Sequence, residues 1–317
     1  MNYRSIGSCS GNYSEIGFRK VEKHLKRGRT GGRWETGKQV ISESTRLSLA
    51  GTSAIVTGAS RGLGREYARV LVAAGAAVVC VARTLSDLEE TVDAVARTGG
   101  AALACVADVS SADGVREVMA RTEQAYGVPD LLVNNAGILG PLGPLHENDV
   151  EQWWRCLATN LGGPMRMMNA VLPRMLERNH GRIINVASGS GTSATPYLCG
   201  YVTSKAALIR LTETVGKEIA GTGVRVFAIE PGTARTRMAE EVINSPSGKR
   251  WLGWFRDYIN EHECSIELAA DFILLLAGGA ADELSGRFLS VHNIEQALRN
   301  QDAIRRADAL TLKLLSV

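Results

Sequence analysis

From Leu47 onward the chain alternates short apolar runs with stretches of helical periodicity. Residues 53–57 (SAIVT), 77–81, 101–106, 131–134, 182–187 and 224–230 are apolar at consecutive positions rather than at every second one. That is the pattern of strands buried on both faces. Between them, residues 61–74, 86–97, 112–126, 149–177 and 200–220 repeat apolar positions every three or four residues and read as helices. A last strand is expected at 287–291 and a C-terminal amphipathic helix at 298–315. The alternation predicts an α/β fold: a doubly wound (Rossmann-type), mostly parallel sheet of about seven strands with helices on both faces and right-handed crossovers. One domain is expected over 47–317. The rhythm breaks at 236–262 (TRMAEEVINSPSGKRWLGWFRDYINEH), an insertion between strand and helix that concentrates Trp251, Trp254, Phe255 and Tyr258.

Residues 1–46 carry neither periodicity nor alternation and are rich in Gly, Ser, Lys and Arg. They read as a disordered or loosely attached extension: upstream translation or an expression remnant, in preference to an organelle-targeting arm, which four glutamates argue against. Charge sharpens the boundary. Residues 1–48 hold ten Lys/Arg against four Asp/Glu, although the whole chain carries only +3. A basic arm on a mildly acidic body is not a nucleic-acid surface, so no nucleic-acid partner is expected. The six cysteines form no C-x-x-C pair and have no His at metal-ligand spacing. They read as small buried hydrophobes in a reducing compartment, and neither metal nor disulfide is expected. No apolar stretch approaches the roughly 18 residues of a membrane span. The expected location is cytoplasmic.

Residues 57–64 (Thr57-Gly58-Ala59-Ser60-Arg61-Gly62-Leu63-Gly64) follow the first strand and open the first helix. Gly58 permits a sharp turn, Gly62 removes a side chain where a pyrophosphate would approach, and Gly64 lets the helix pack closely on the sheet. The helix N-terminus adds unpaired N–H groups and the positive end of its dipole. A tight strand–helix turn without a ligand would use the same spacing. Further on come Asp108-Val109 after the third strand, Asn134-Asn135-Ala136-Gly137 after the fourth, Asn160, and Ser188 ending the fifth. Tyr201-x-x-x-Lys205 and Pro231-Gly232 complete the series. Each motif alone is weak. As an ordered set, with T-G-x-x-x-G-x-G spacing, they make residues 47–292 resemble the short-chain dehydrogenase/reductase family, in its single-domain subgroup. The resemblance implies hydride transfer to a carbonyl carbon or from the matching alcohol.

Lys205 lies four residues beyond Tyr201, on the same helical face. A free phenol titrates at about 10, and a nearby ammonium would lower it. Tyr201 could then exchange a proton with a carbonyl oxygen while Ser188 hydrogen-bonds the same oxygen. The competing readings are structural: Tyr201 as a core aromatic, Lys205 as a solvated stem, Ser188 as a turn, Asp108 as a helix cap, Asn134 and Asn135 as turn residues. The resemblance further implies that Lys205 binds the nicotinamide ribose and that Asn160 anchors a water. It implies that Asp108, with Val109, meets the adenine, that Asn135, Ala136 and Gly137 form a cofactor floor, and that Pro231, Gly232, Thr233 and Thr236 reach the nicotinamide or phosphate.

Ala82 stands where a carboxylate would bind an NAD ribose hydroxyl, Arg83 follows it, and Arg61 sits in the glycine turn. Two guanidiniums suit a 2′-phosphate, so NADP(H) is the expected cofactor, with NAD(H) possible. The insertion reads as a substrate lid for an apolar small-molecule carbonyl or alcohol, or else as packing against the body or a partner. The resemblance implies a homodimer or homotetramer. Two alternatives stay open: an NAD-dependent alcohol dehydrogenase, and a non-catalytic cofactor-binding sensor or scaffold.

Overall fold

The computed structural model of the protein describes residues 47–97 and 99–313; the extension expected at 1–46 lies outside the described residues. The strands are β1 (Ser53–Thr57), β2 (Ala77–Ala82), β3 (Ala102–Val106), β4 (Leu131–Asn134), β5 (Gly181–Val186), β6 (Val224–Glu230) and β7 (Phe288–Ser290). They pair in parallel throughout, in the order β3-β2-β1-β4-β5-β6-β7. Every residue of β1 and β4 is buried, as their unbroken apolar runs require. The strand order reverses between β1 and β4, so the connections leave these two strands in opposite directions and open a crevice beyond their carboxyl ends.

The helices are α1 (Gly62–Ala73), α2 (Leu85–Ala96), α3 (Ala112–Tyr126), α4 (Val150–Leu157), α5 (Gly163–Glu177) and α6 (Cys199–Glu218). Alternate residues of each strand feed two cores. Val56 packs with Leu71 of α1 and Phe272 on one face of the sheet, whereas Ile55 packs with Met167 and Met175 of α5 on the other. Fully burying such side chains contributes about 1.5–3 kcal/mol each, so the two cores fix which face every helix covers. Among the described residues no helix is long and apolar enough to cross a membrane.

The insertion folds into three short helices, α7 (Arg237–Asn244), α8 (Pro246–Trp251) and α9 (Phe255–His262), before α10 (Ile266–Ala277) returns to the sheet. Two expectations need correction. The helix read across 149–177 is interrupted by a π turn at Ala158–Gly162, between α4 and α5. The C-terminal helix read at 298–315 is instead two short pieces, α11 (Ile294–Arg299) and α12 (Gln301–Arg306). Asn300 leaves helical geometry between them (φ −121°). Asp308 and Leu310 are left-handed (φ 46° and 58°), and the Leu310 carbonyl accepts a hydrogen bond from Phe288 N (2.9 Å), which draws the chain onto the β7 edge. Residues 314–317 lie outside the described residues.

Candidate active site

The glycine turn joins β1 to α1. Gly62 is left-handed (φ 54°), a conformation glycine adopts without the steric cost other residues meet. A Cβ on Gly64 would lie 2.2 Å from the Gly58 carbonyl oxygen, so a side chain there would force α1 off the sheet. The turn is braced from outside. Arg65 donates to the Ser60 carbonyl (2.6 Å), and Thr91 of α2 accepts from Arg65 Nε (2.9 Å) while its hydroxyl reaches the Ala59 carbonyl (3.1 Å). From the β4 side, Asn135 Nδ2 donates to the Thr57 and Gly58 carbonyls (2.9 and 3.2 Å), and Thr57 Oγ1 accepts from the Asn135 and Ala136 amides (3.0 Å each).

Helix α1 begins with no side-chain cap at Arg61 and no acidic residue in its first turn, whereas Ser111 caps α3 and Ser265 caps α10. The first-turn N–H groups, including those of Leu63 and Gly64, therefore have neither intrahelical nor capping partners. A diphosphate would satisfy them and meet the positive end of the dipole. Thr236 stands over this turn, its Cγ2 being 3.6 Å from where a Gly62 Cβ would be.

Asp108 does not cap the helix after it; that role falls to Ser111, whose hydroxyl accepts from Gly114 N (3.0 Å). Asp108 Oδ1 instead accepts from the Ser110 amide and hydroxyl (2.8 and 2.7 Å). Partial burial pulls its carboxyl upward, but these bonds and the Arg83 charge outweigh that and hold it below the usual range. Oδ2 accepts nothing from the described residues, which leaves it to a ligand's donor. Val109 is buried in the core beneath α3 and α5. Arg83 is exposed at the end of β2; Arg61 is also exposed, with Nη1 3.9 Å from Asp87 Oδ2. The residues present thus fit a dinucleotide: an uncapped helix terminus, a carboxylate with a free oxygen, and two exposed guanidiniums.

Ser188 follows β5 and Tyr201 lies in the first turn of α6. Burial raises the Tyr201 phenol to about 12, against the lowering influence of the nearby Ser188 hydroxyl. The lowering expected from Lys205 is therefore not realised in the protein alone. Burial also holds Lys205 low, at about 8, and its ammonium donates to the Val186 carbonyl (2.7 Å) while lying 5.5 Å from the Tyr201 ring centroid. Of the structural alternatives, the solvated lysine stem is excluded, because Lys205 is 4 % exposed.

Asn160 occupies the π turn, a rare geometry found often at functional sites. It is fully buried and clamps Ile138, accepting from its amide (2.8 Å) and donating to its carbonyl (2.9 Å). Its Nδ2 also approaches Ser204 Oγ (3.0 Å), and Ser204 donates to the Tyr201 carbonyl (2.7 Å). A Cβ on Gly137 would sit 3.4 Å from Asn160 Oδ1 and 3.8 Å from Lys205 Nζ, so these three meet at one point. Pro231, Gly232 and Thr233 follow β6. The Thr233 carbonyl accepts from Cys264 N (2.9 Å), and Tyr258 of α9 lies near the Thr233 side chain. Over Tyr201 the insertion supplies Trp251 and Phe255, packed with Leu139, Leu142, Leu198 and Val202.

Sequence reasoning missed Arg65, Thr91 and Ser204. Arg65, adjacent to Gly64, and Ser204, adjacent to Lys205, carried a local signal; Thr91 carried none.

The family model described as short chain dehydrogenase matches residues 52–246. The chain belongs to the short-chain dehydrogenase/reductase family. A short chain dehydrogenase of Pseudocercospora fijiensis is 34% identical, with 78% of this chain and 82% of that protein covered. A D-beta-hydroxybutyrate dehydrogenase of Rhizobium meliloti is also 34% identical, over 75% of this chain and 96% of its own. A solved 7α-hydroxysteroid dehydrogenase, complexed with NADH and 7-oxo glycochenodeoxycholic acid, superposes with a TM-score of 0.71 at 28% identity, over 78% of this chain and 95% of that one. This short-chain dehydrogenase/reductase is an oxidoreductase acting on the hydroxyl or carbonyl group of a small molecule.

Proposed function

We propose that the protein is an NADP(H)-dependent reductase of an apolar small-molecule carbonyl, with Tyr201 as the general acid. One observation carries the reading: Tyr201, with the Ser188 hydroxyl near its phenol and buried Lys205 one helical turn on, lies at the carboxyl ends of the strands that also carry the uncapped glycine turn. Gly58, Ser60, Arg61, Gly62, Leu63 and Gly64 would hold the diphosphate side of the cofactor. Asp108 and Val109 would meet the adenine, and Asn135, Ala136, Gly137, Pro231, Gly232, Thr233 and Thr236 the nicotinamide half. When bound, the nicotinamide supplies the hydride.

The remaining steps belong to the chain. Held at about 12, Tyr201 is a phenol at neutral pH and so enters the reaction as a proton donor, which suits reduction. Ser188 fixes the carbonyl oxygen against it, and the two hydroxyls stabilise negative charge as it develops there. Lys205, already poised near neutrality, can replace the proton that Tyr201 gives up. Asn160, by clamping Ile138, keeps the β4 loop over this point. Helices α7–α9 act as the lid, with Trp251 and Phe255 offering apolar surface to the substrate.

Ala82, Arg83 and Arg61 support NADP(H). The NADH held by the 7α-hydroxysteroid dehydrogenase is the observation that favours an NAD-linked reading. Titrating the protein with NADPH and NADH by nicotinamide fluorescence separates them: NADPH should bind at least about tenfold tighter, since one hydrogen bond to a charged group contributes about 1.5–3 kcal/mol. Tyr201→Phe should abolish turnover of a carbonyl panel while leaving NADPH affinity intact; retained turnover would remove Tyr201 from the mechanism, and failure to bind either nucleotide would favour the sensor or scaffold. The exposed Val150 and Trp154 on α4 support association through α4–α6 as a homodimer or homotetramer, which sedimentation equilibrium would test.

A further inference from the structure

Glu230 ends β6, one residue before Pro231-Gly232, and nothing in the roles assigned so far uses it. The register pairs Val186 with Ile229, and Ala187 N donates to the Ile229 carbonyl (2.8 Å), so Glu230 lies level with the start of the Ser188 turn. Its carboxylate passes beneath that turn. A Cβ on Gly189 would sit 2.3 Å from Glu230 Oε1 and 3.4 Å from Oε2, so a residue with no side chain follows Ser188 and leaves the space to the carboxylate. The Glu230 charge raises the phenols of both Tyr201 and Tyr258, as well as the Cys264 thiol. Both phenols and the thiol therefore lie within electrostatic reach of it.

The carboxylate has no internal partner. Among the described residues no hydrogen bond or ion pair reaches either of its oxygens. The nearby loop cation, Arg235, is engaged elsewhere, with Glu240 (3.0 Å), Glu263 (3.7 Å) and Asn260 (2.8 Å). Glu230 is only partly exposed. A half-buried carboxylate that no hydrogen bond or ion pair engages is a strong acceptor awaiting a donor.

Building on the reductase reading, we propose that Glu230 selects the substrate: its carboxylate accepts a hydrogen bond from a hydroxyl carried close to the reacting carbonyl. The favoured class is then hydroxycarbonyls and the corresponding diols. Simple carbonyls lack the donor, and substrates with an acid group at that position are repelled by a like charge.

The test uses a matched pair of nearly equal size, α-hydroxyacetophenone and propiophenone, reduced with NADPH by the wild type, Glu230→Gln and Glu230→Ala. The quantity read is the ratio of the two kcat/KM values. The intrinsic reactivity of each ketone is the same for all three proteins, so it cancels when their ratios are compared. The hydroxyl preference should fall about tenfold to a hundredfold in Glu230→Ala and less in the isosteric Glu230→Gln, because an amide oxygen still accepts but carries no charge. The loss should appear mainly in the hydroxylated substrate, with NADPH affinity unchanged. An unchanged ratio in both variants would overturn the proposal. So would a fall in NADPH affinity with the ratio preserved, which would assign Glu230 to the cofactor. If the wild type binds NADPH and reduces other ketones but neither member of the pair, substrate selection by a hydroxyl is refuted while the reductase reading stands. If Tyr201→Phe is as active as the wild type, it is the reductase reading that falls.

Discussion

Replacing Lys205 by Met should make the protein's stability lose a distinctive pH dependence. Lys205 is 4 % exposed, and burial lowers its ammonium from 10.5 to about 8. That gap corresponds to about 3 kcal/mol held against the charged form in the folded state. Between pH 8 and 10.5 the unfolded chain keeps the proton and the folded protein has released it. The unfolded state therefore binds more protons, and stability rises with pH through that window. From pH 7 to 9.5 the Lys205 contribution should rise by about 2 kcal/mol, the remainder lying above pH 9.5. Met keeps much of the stem and removes the titration, at the cost of leaving the Val186 carbonyl without its 2.7 Å donor, about 1–3 kcal/mol. Near pH 7 the two effects nearly offset, so Lys205→Met should be as stable as the wild type or slightly more so. By pH 9.5 it should be less stable, although activity is gone at both. Buried Cys80 and Cys264, whose thiols are raised, push stability down with pH in both proteins, so the difference between them is the observable. Urea unfolding at four pH values from 7 to 9.5 measures it. A difference that stays constant over the range would refute the claim that Lys205 is buried as a depressed ammonium.

Two further substitutions probe the cofactor end. Gly64→Ala places a methyl 2.2 Å from the Gly58 carbonyl oxygen and 2.5 Å from Asn135 Nδ2, so the melting temperature should fall by about 6–12 °C, as for about 3 kcal/mol in a domain of this size; an unchanged transition would mean that α1 does not approach the turn this closely. Arg83→Asp should lower the ratio of NADPH to NADH affinity at least about tenfold without altering the melting temperature, because the side chain is exposed and in no ion pair with the described residues, and a preserved ratio would place 2′-phosphate recognition elsewhere.

How far the sequence revealed this depends on how local each signal is. The six inner and outer strands read from apolar runs are all present to within a residue, because burial on both faces leaves no alternation to misread. The glycine turn and Tyr201–Lys205 were legible for the same reason: their spacing is fixed within eight residues by one turn or one helical face. Groups that complete the site come from far along the chain. Thr91 reaches a carbonyl 32 residues earlier, and Asn160 bonds Ser204 across 44 residues. No periodicity encodes such distances. The π turn at Ala158–Gly162 was invisible because apolar positions recur on both sides of it, and one extra residue in a turn barely disturbs the pattern. The C-terminal segment misled in the opposite sense. Its apolar spacing suits a helix, but the β7 edge offers an amide at Phe288, and pairing with the Leu310 carbonyl wins.

Three departures from regular geometry stand at the site, although Asn179, Asp308 and Leu310, also left-handed, lie elsewhere. Asn160 stands in the π turn, Lys205 is a buried ammonium, and Tyr197, four residues before Tyr201, is left-handed at φ 69°. For a bulky side chain such a conformation costs about 1–3 kcal/mol and persists only if its surroundings enforce it. They do: the Tyr197 carbonyl accepts from Gly143 N (3.0 Å), and its ring lies 4.8 Å from that of Trp251 in α8. The strained residue is therefore held between the loop after β4 and the insertion. Both flank the point where Tyr201, Ser188 and Lys205 meet. The two cores of the sheet carry none of this strain. They supply stability from side chains such as Phe227 and Phe272 that are buried and make no polar demand. The division follows from the parallel sheet itself. Its carboxyl ends must be joined to helices by loops, those loops carry backbone groups the ladder does not satisfy, and unsatisfied donors and acceptors are what a dinucleotide and a carbonyl oxygen require.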